Sequence, residues 1–243
     1  MNVIFDLDDT LCHTCELYDE VKEHFLDRMA DRGFNRAEAS STMEDIDRQR
    51  ITQMGFSKER WPGSMALTYS RLCEKHDRVY LPEEAMALQE IGYQVFRRAP
   101  EPYEGLPDAL GTLKAINIPI GILTQGDMNV QSFKIAALGL ARYITFVRIV
   151  SKKDDTIFSL LLQERHLHPS QVVMIGNSAK HDINPALRAG LHTIHVPNNG
   201  WSYDDEEILQ SEHYHRIKTL YDVPYMVQTI QTEIQTLKQI QNT

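Results

Sequence analysis

The sequence has only three cysteines in 243 residues, Cys12, Cys15 and Cys73. That is too few for the disulfide framework of a small secreted domain and points to a reducing compartment. No apolar run is long enough to cross a bilayer, and no basic start followed by an apolar stretch marks a signal peptide. Positive charge is not in excess either: 25 Lys and Arg stand against 34 Asp and Glu, a net of −9. No basic field therefore draws nucleic acid or an anionic membrane surface. An anionic small molecule would need a local site or a metal. Internal repeats and low-complexity tracts are absent as well. The expectation is a soluble, cytoplasmic protein with neither a nucleic-acid nor a membrane partner.

What is present is ordinary globular material, 42% hydrophobic and 24% charged. The length allows one large domain, or a core with a smaller companion. The unusual stretch comes first. In MNVIFDLDDTLCH an apolar run, Val3 to Phe5, ends in Asp6, Asp8 and Asp9. Crowded carboxylates repel one another unless something positive binds among them.

Residues 2–7 read as a buried strand. From 14 to 98 the chain is rich in charge and helix formers, with helical apolar spacing in LYDEVKEHFLDRM and EEAMALQEIGYQVF and no strand signal. It reads as an all-helical insertion, broken near Gly33, Gly55, Trp61-Pro62-Gly63 and Leu81-Pro82. After PEPYEGLPDAL, strands and helices alternate. Strands are expected at 118–124, 144–150, 171–177 and 191–197, with a further candidate at 215–220. Helices are expected at 129–138, 154–166 and 184–190, and in the amphipathic tail. This alternation predicts a doubly wound parallel sheet, in which ligands bind beyond the carboxyl ends of the strands.

Four strand ends carry chemistry. Asp6 and Asp8, two apart, should face one site, where a hard cation such as Mg²⁺ would offset their repulsion. Thr10 is near enough to hydrogen-bond the pair, and Asp9 reads as a solvated loop residue. The second strand ends in ILTQGD: Thr124 offers a hydroxyl and Gln125 and Gly126 offer backbone N–H groups to an anion. The same stretch also reads as an ordinary helix cap. The third strand leads to Lys152 and Lys153, either a solvated turn or a cation reaching back to the carboxylates. The fourth ends in MIGNSAKHDI, where Asn177 and Asp182 can each lend an oxygen to a metal.

With DLDDT at 6–10, LTQG at 123–126, a lysine at 152 or 153, and GNSAKHD at 176–182, the sequence resembles the haloacid dehalogenase-like hydrolase superfamily over its whole length. The resemblance implies a Rossmann-like core, residues 1–13 and 99–243, and a helical cap, residues 14–98. It further implies Asp6 as nucleophile and Asp8 as general acid and base. Thr124, Gln125, Gly126 and the lysine would bind phosphate. Mg²⁺ would lie between Asp6, the backbone carbonyl of Asp8, Asn177 and Asp182. The commoner family form, Lys-Pro-Asp-Pro-x-x-Phe, selects Lys152 with Phe158; a subgroup with a Lys-Asp-x-x-x-aromatic form, which also carries LTxGD and a GNS-type fourth motif, selects Lys153, the register favoured here. Asn177 departs from the aspartate of most relatives, which implies weaker metal affinity.

The acid at position 8 favours phosphoester hydrolysis over dehalogenation, because a halide leaves without a proton. The implied function is a Mg²⁺-dependent phosphatase of a small phosphorylated metabolite. Alternatives are phosphonate cleavage, for which Lys22, Lys58 and Lys75 are the cap lysines, a phosphomutase, or a binding protein that has lost turnover. A phospho-receiver domain shares the acid cluster, threonine and lysine, but not an insertion of this size. Nothing sets the oligomeric state. Cys12-His13-Thr14-Cys15 lacks the second ligand pair of a zinc site and reads as the hinge into the insertion. His192, His195, Trp61 and Trp201 read as structural, and Arg97 and Arg98 as solvated.

Overall fold

A computed structural model describes residues 1–198 and 206–241 of the chain; Trp201 lies outside the described residues. Six strands form one sheet: β1 (Asn2–Phe5), β4 (Ile120–Gln125), β5 (Phe146–Val150), β6 (Val172–Gly176), β7 (His192–His195) and β8 (Tyr214–Arg216), in the order β5-β4-β1-β6-β7-β8. Every neighbouring pair is parallel. Strand β1 is therefore central, paired with β4 through Val3–Ile120 and with β6 through Val3–Val173. The order reverses across it, which is where an open α/β sheet leaves a crevice.

Both faces of the sheet are covered, and the central strands β1, β4 and β6 read as continuous apolar runs rather than alternating ones, as buried parallel strands do. Val3 and Phe5 join Leu110, Leu113, Ile122, Val173 and Val227 in one core, which holds α5 (Leu106–Ala115) and α9 (Val223–Gln241). Ile4 points the other way and joins Leu123, Met174, Phe158 and Leu161, with α7 (Asp155–Glu164) supplying the last two. Truncating a fully buried side chain such as Leu110 costs about 2–5 kcal/mol. Gly121 shows how tightly the sheet is filled, since a Cβ there would meet the Phe146 ring at 2.1 Å.

The chain divides into two compact units, one of residues 1–15, 100–125 and 131–243, the other of 16–99 with 126–130. The second contains α1 (from Cys15 to Asp31), α2 (Arg36–Met54), α3 (Arg60–Lys75) and α4 (Pro82–Tyr93). Phe25, Met29, Met43, Met65, Leu72 and Leu88 are buried there. Glu84, buried, is held by Arg28 through two hydrogen bonds and by Arg32. Asp47 is paired with Arg60 and receives the Ser64 hydroxyl at 2.9 Å. Trp61 is buried with the Tyr18 ring packed edge-on at 5.1 Å. Arg97 and Arg98 are exposed and paired with Glu90 and Glu20.

Two short strands escaped the sequence pattern: β2 (Cys12–His13) and β3 (Glu101–Pro102), an antiparallel pair. Two residues on each side are too few for a period to register. They tie the N-terminal segment to the return of the chain at residue 101.

Candidate active site

Strands β1, β4, β5 and β6 are neighbours, so the segments leaving their carboxyl ends converge. Asp6 follows β1 directly. Its backbone N–H still donates to Ile175 O at 2.9 Å, which fixes the residue against β6. Its side chain is buried between Lys153, whose Nζ lies 2.5 Å from Oδ1, and Thr10, whose hydroxyl donates to Oδ2 at 3.2 Å. Lys153 Nζ also lies 2.6 Å from Asp182 Oδ1. Lys152 is three-quarters exposed and pairs with Asp154 instead. Lys153 reaches inward because its backbone N–H is anchored to Gln125 Oε1 at 2.7 Å.

The charge balance sets the acidity. Burial, then the neighbouring Asp182, push Asp6 up to about 7, although Lys153 pulls the other way. Burial would lower the Lys153 ammonium, yet Asp182 and Asp6 together hold it above the ordinary lysine value. One cation shared by two buried carboxylates leaves a surplus negative charge.

Asp182 is brought in by the turn after β6. Ser178 accepts from His181 N–H at 3.1 Å, and Ser178 N–H donates to Asp182 Oδ2 at 3.0 Å. The carboxylate lies against the Gly176 backbone, where a Cβ would meet Oδ2 at 2.3 Å. Glycine is required here by close approach. Asn177 Oδ1 accepts from Thr10 at 3.1 Å, and its carbonyl is held by His195 Nε2 at 2.9 Å. His195 in turn meets Tyr214 Oη at 3.1 Å. His192, one turn of the pleat earlier, is buried against the His213 ring at 4.3 Å, and burial lowers it to about 4.

Asp8 has different company. Its Oδ1 pairs with Lys134 and accepts the Thr14 hydroxyl at 2.9 Å, while Oδ2 accepts Gln131 Nε2 at 2.9 Å. Burial raises this carboxyl, but the Lys134 ammonium and the donors from Gln131 and Thr14 bring it below its ordinary value. The same Gln131 amide donates to Thr124 Oγ1 at 2.6 Å, so Thr124, fully buried at the end of β4, is linked to Asp8. Gly126 follows with φ of 151°, in the 126–130 segment of the smaller unit.

Asp9 corrects the expectation of a solvated loop residue. It is buried, and its Oδ1 accepts the backbone N–H groups of Thr14 and Cys15 at 2.9 Å each, while its Oδ2 accepts the Cys15 thiol at 2.8 Å. A positive φ of 56° turns it back to cover the unpaired donors that open α1. Cys12 is buried, and burial foremost pushes its thiol up to about 12.

Three participants carried no motif signal: Thr14, Gln131 and Lys134. Gln131 and Lys134 stand three apart on α6 (Met128–Ala137), on one helical face. That spacing of polar residues was the available clue.

Among the described residues no three His, Cys, Asp or Glu side chains gather to hold a metal ion. The oxygens at hand are the Asp6 and Asp182 carboxylates, which share Lys153, together with the Asp8 carbonyl and the Asn177 amide. An all-oxygen set beside surplus negative charge fits a hard divalent cation.

A doubly wound sheet with this sequence of acid, hydroxyl, lysine and acidic turn at adjacent strand ends defines a class of hydrolase. The chain belongs to the haloacid dehalogenase-like hydrolase family, whose model matches residues 3–196. It is 26% identical to a ribulose-1,5-bisphosphate 5-phosphatase from Halopiger xanaduensis, over 79% of this chain and 82% of that one. It is 23% identical to a glyceraldehyde 3-phosphate phosphatase from Methanopyrus kandleri, over 84% and 86%. Among solved structures, a haloacid dehalogenase-like hydrolase from Xanthomonas campestris shares the fold with a TM-score of 0.76 and 22% identity, over 96% of each chain. A magnesium-bound hydrolase of the same type from Bacillus subtilis gives 0.65 at 15% identity, over 93% and 98%. No described helix is long and apolar enough to cross a membrane.

Proposed function

We propose that the protein is a Mg²⁺-dependent phosphatase acting on a small phosphorylated molecule, with Asp6 as nucleophile and residues 14–98 as its cap. The observation that carries this reading is the division of labour between the two aspartates. Asp6 is buried beside the Lys153 ammonium, while Asp8 is held by a separate set of donors. The phosphatase relatives lend it support at low identity.

In the first step an Asp6 oxygen bonds to phosphorus as the bond to the leaving oxygen breaks, and Asp8, ionised in the free protein, passes to that oxygen the proton it takes from the incoming phosphate monoester. In the second, Asp8 takes a proton from water, the water oxygen bonds to phosphorus, and the Asp6–phosphorus bond breaks to free phosphate. Thr124 and Lys153 meet charge on the transferring group. Asp6, the Asp8 carbonyl, Asn177 and Asp182 would hold Mg²⁺, which would supply further neutralisation of that charge. The candidate Schiff-base lysines Lys22, Lys58 and Lys75 each lie beside a glutamate, which lends nothing to phosphonate cleavage.

The test is a panel of phosphorylated metabolites assayed with Mg²⁺, for the wild type and Asp6→Asn. Turnover of at least one ester by the wild type, abolished in the variant, is the expected result. No turnover on any ester, or turnover retained by Asp6→Asn, overturns the proposal.

A further inference from the structure

The motifs leave Lys134 without a role, yet it is among the best enclosed lysines near the site, with a side chain only 12% exposed. It rises from the same face of α6 as Gln131. Its Nζ pairs with Asp8 Oδ1 and also lies 3.5 Å from the Thr14 hydroxyl that serves the same oxygen. Gln131 takes the other oxygen, Oδ2. Asp8 is thus gripped at both ends of its carboxyl group, from one helix face and from Thr14.

Such a grip has a chemical purpose. The carboxylate of Asp8 follows the end of β1 in an irregular segment, where the backbone alone does not fix a rotamer. A group that moves protons at a leaving oxygen must be aligned with it, and a misplacement of about 1 Å can cost on the order of 10²-fold. Lys134 also differs from Lys153 in its client. Lys153 serves Asp6 and Asp182, whereas Lys134 pairs with Asp8. The two cations divide between the nucleophile and the proton-transfer group.

We propose that Lys134 is a positioning residue for Asp8, holding its carboxyl group in line for proton transfer to the leaving oxygen and from the attacking water. The inference rests on the phosphatase reading above. Gln131 extends the arrangement to Thr124 by its second donation, at 2.6 Å, so alignment of Asp8 is coupled to the hydroxyl on the phosphate side.

A positioning role makes a prediction that a packing role does not. An alkyl phosphate needs a proton on its departing oxygen; p-nitrophenyl phosphate does not, because nitrophenolate leaves as an anion. In the full-length protein with saturating Mg²⁺, Lys134→Met should lower kcat for an alkyl phosphate such as glycerol phosphate by about 10²-fold. It should lower kcat for p-nitrophenyl phosphate by less than about fivefold in its first, phosphorylating step, read as the pre-steady-state burst of nitrophenolate. KM for both should change little. Lys134→Arg should recover part of the loss, and Lys134→Met should add nothing once Asp8 is already Asn. If Lys134→Met proves unfolded by circular dichroism, Lys134→Gln, which keeps a donor and the stem, carries the same comparison.

Equal losses for the two esters, or losses that multiply with those of Asp8→Asn, overturn the positioning role while leaving the phosphatase reading intact. A wild type that turns over no ester of the phosphorylated-metabolite panel overturns both.

Discussion

Lys153 Nζ lies 2.5 Å from Asp6 Oδ1, and that single contact joins the end of the first strand to the segment after the fifth. The same ammonium holds Asp182. Removing it would leave two buried carboxylates facing each other without a cation. Lys153→Met should therefore destabilise the fold by about 3–5 kcal/mol and abolish turnover, while Lys152→Met, at an exposed pair, should shift stability by less than about 1 kcal/mol. Denaturant midpoints and assays of both variants check this; equal effects would refute the division.

Asp6 gives the metal-free protein a pH signature. Its folded value of about 7 stands above the ordinary aspartate value of 3.8, so the folded state favours the protonated form. Its contribution to stability is fully present below about pH 4 and is lost as pH rises through about 7. In chelator, the melting temperature should fall across that window, and Asp6→Asn should flatten the fall. Added Mg²⁺ should restore stability at the alkaline end, where the ionised carboxylate is available to it.

Gly176 bears on the same cluster from below. Any Cβ there drives into the Asp182 carboxyl group, 2.3 Å from Oδ2. Gly176→Ala should displace Asp182 from Lys153, lower stability by about 1–3 kcal/mol, and reduce kcat by at least tenfold in a direct assay. A crystal structure of the variant with Asp182 unmoved would count against this account.

Asn177 offers an amide oxygen where a charged ligand is the stronger choice for a hard cation. Asn177→Asp should lower the half-saturating Mg²⁺ concentration several-fold, read from activity against metal concentration. An unchanged value would mean that residue 177 contributes nothing to metal affinity.

Asp9 is structural by its partners. Asp9→Ala strands the N–H groups of Thr14 and Cys15 and should cost about 1–3 kcal/mol, with Mg²⁺ affinity changed less than twofold. Chemical denaturation beside a Mg²⁺ titration separates the two.

The sequence made the sheet legible because its buried parallel strands are unbroken apolar runs ending in polar residues. Val3 to Phe5 and Val172 to Ile175 need no subtlety to read. The expected strand at 2–7 ends at Phe5, because Asp6 to Thr10 turn the chain instead of extending it. The site was legible in outline, as far as motifs carry identity. What motifs do not carry is partnership across the fold. Nothing local to Asp9 tells that two amide donors lie five and six residues on, and nothing in FDLDDT announces a lysine on α6. The turn from Ala179 to Ile183, a single wide helical turn leading into α8 (Asn184–Arg188), likewise looks in sequence like the first residues of an ordinary helix.

The central place of β1 has a consequence for how the chain acquires its shape. Strand β1 leaves the ribosome before either of the strands it pairs with, β4 on one side and β6 on the other, both far along the chain. Val3, Ile4 and Phe5 must wait, unpaired and apolar, until most of the chain has been made. Such non-local closure folds slowly and exposes a sticky edge during synthesis. Strand β1 is thus the segment a chaperone would be expected to guard longest, and the cluster of Asp6, Lys153 and Asp182 comes into being only as the middle of the sheet is zipped shut.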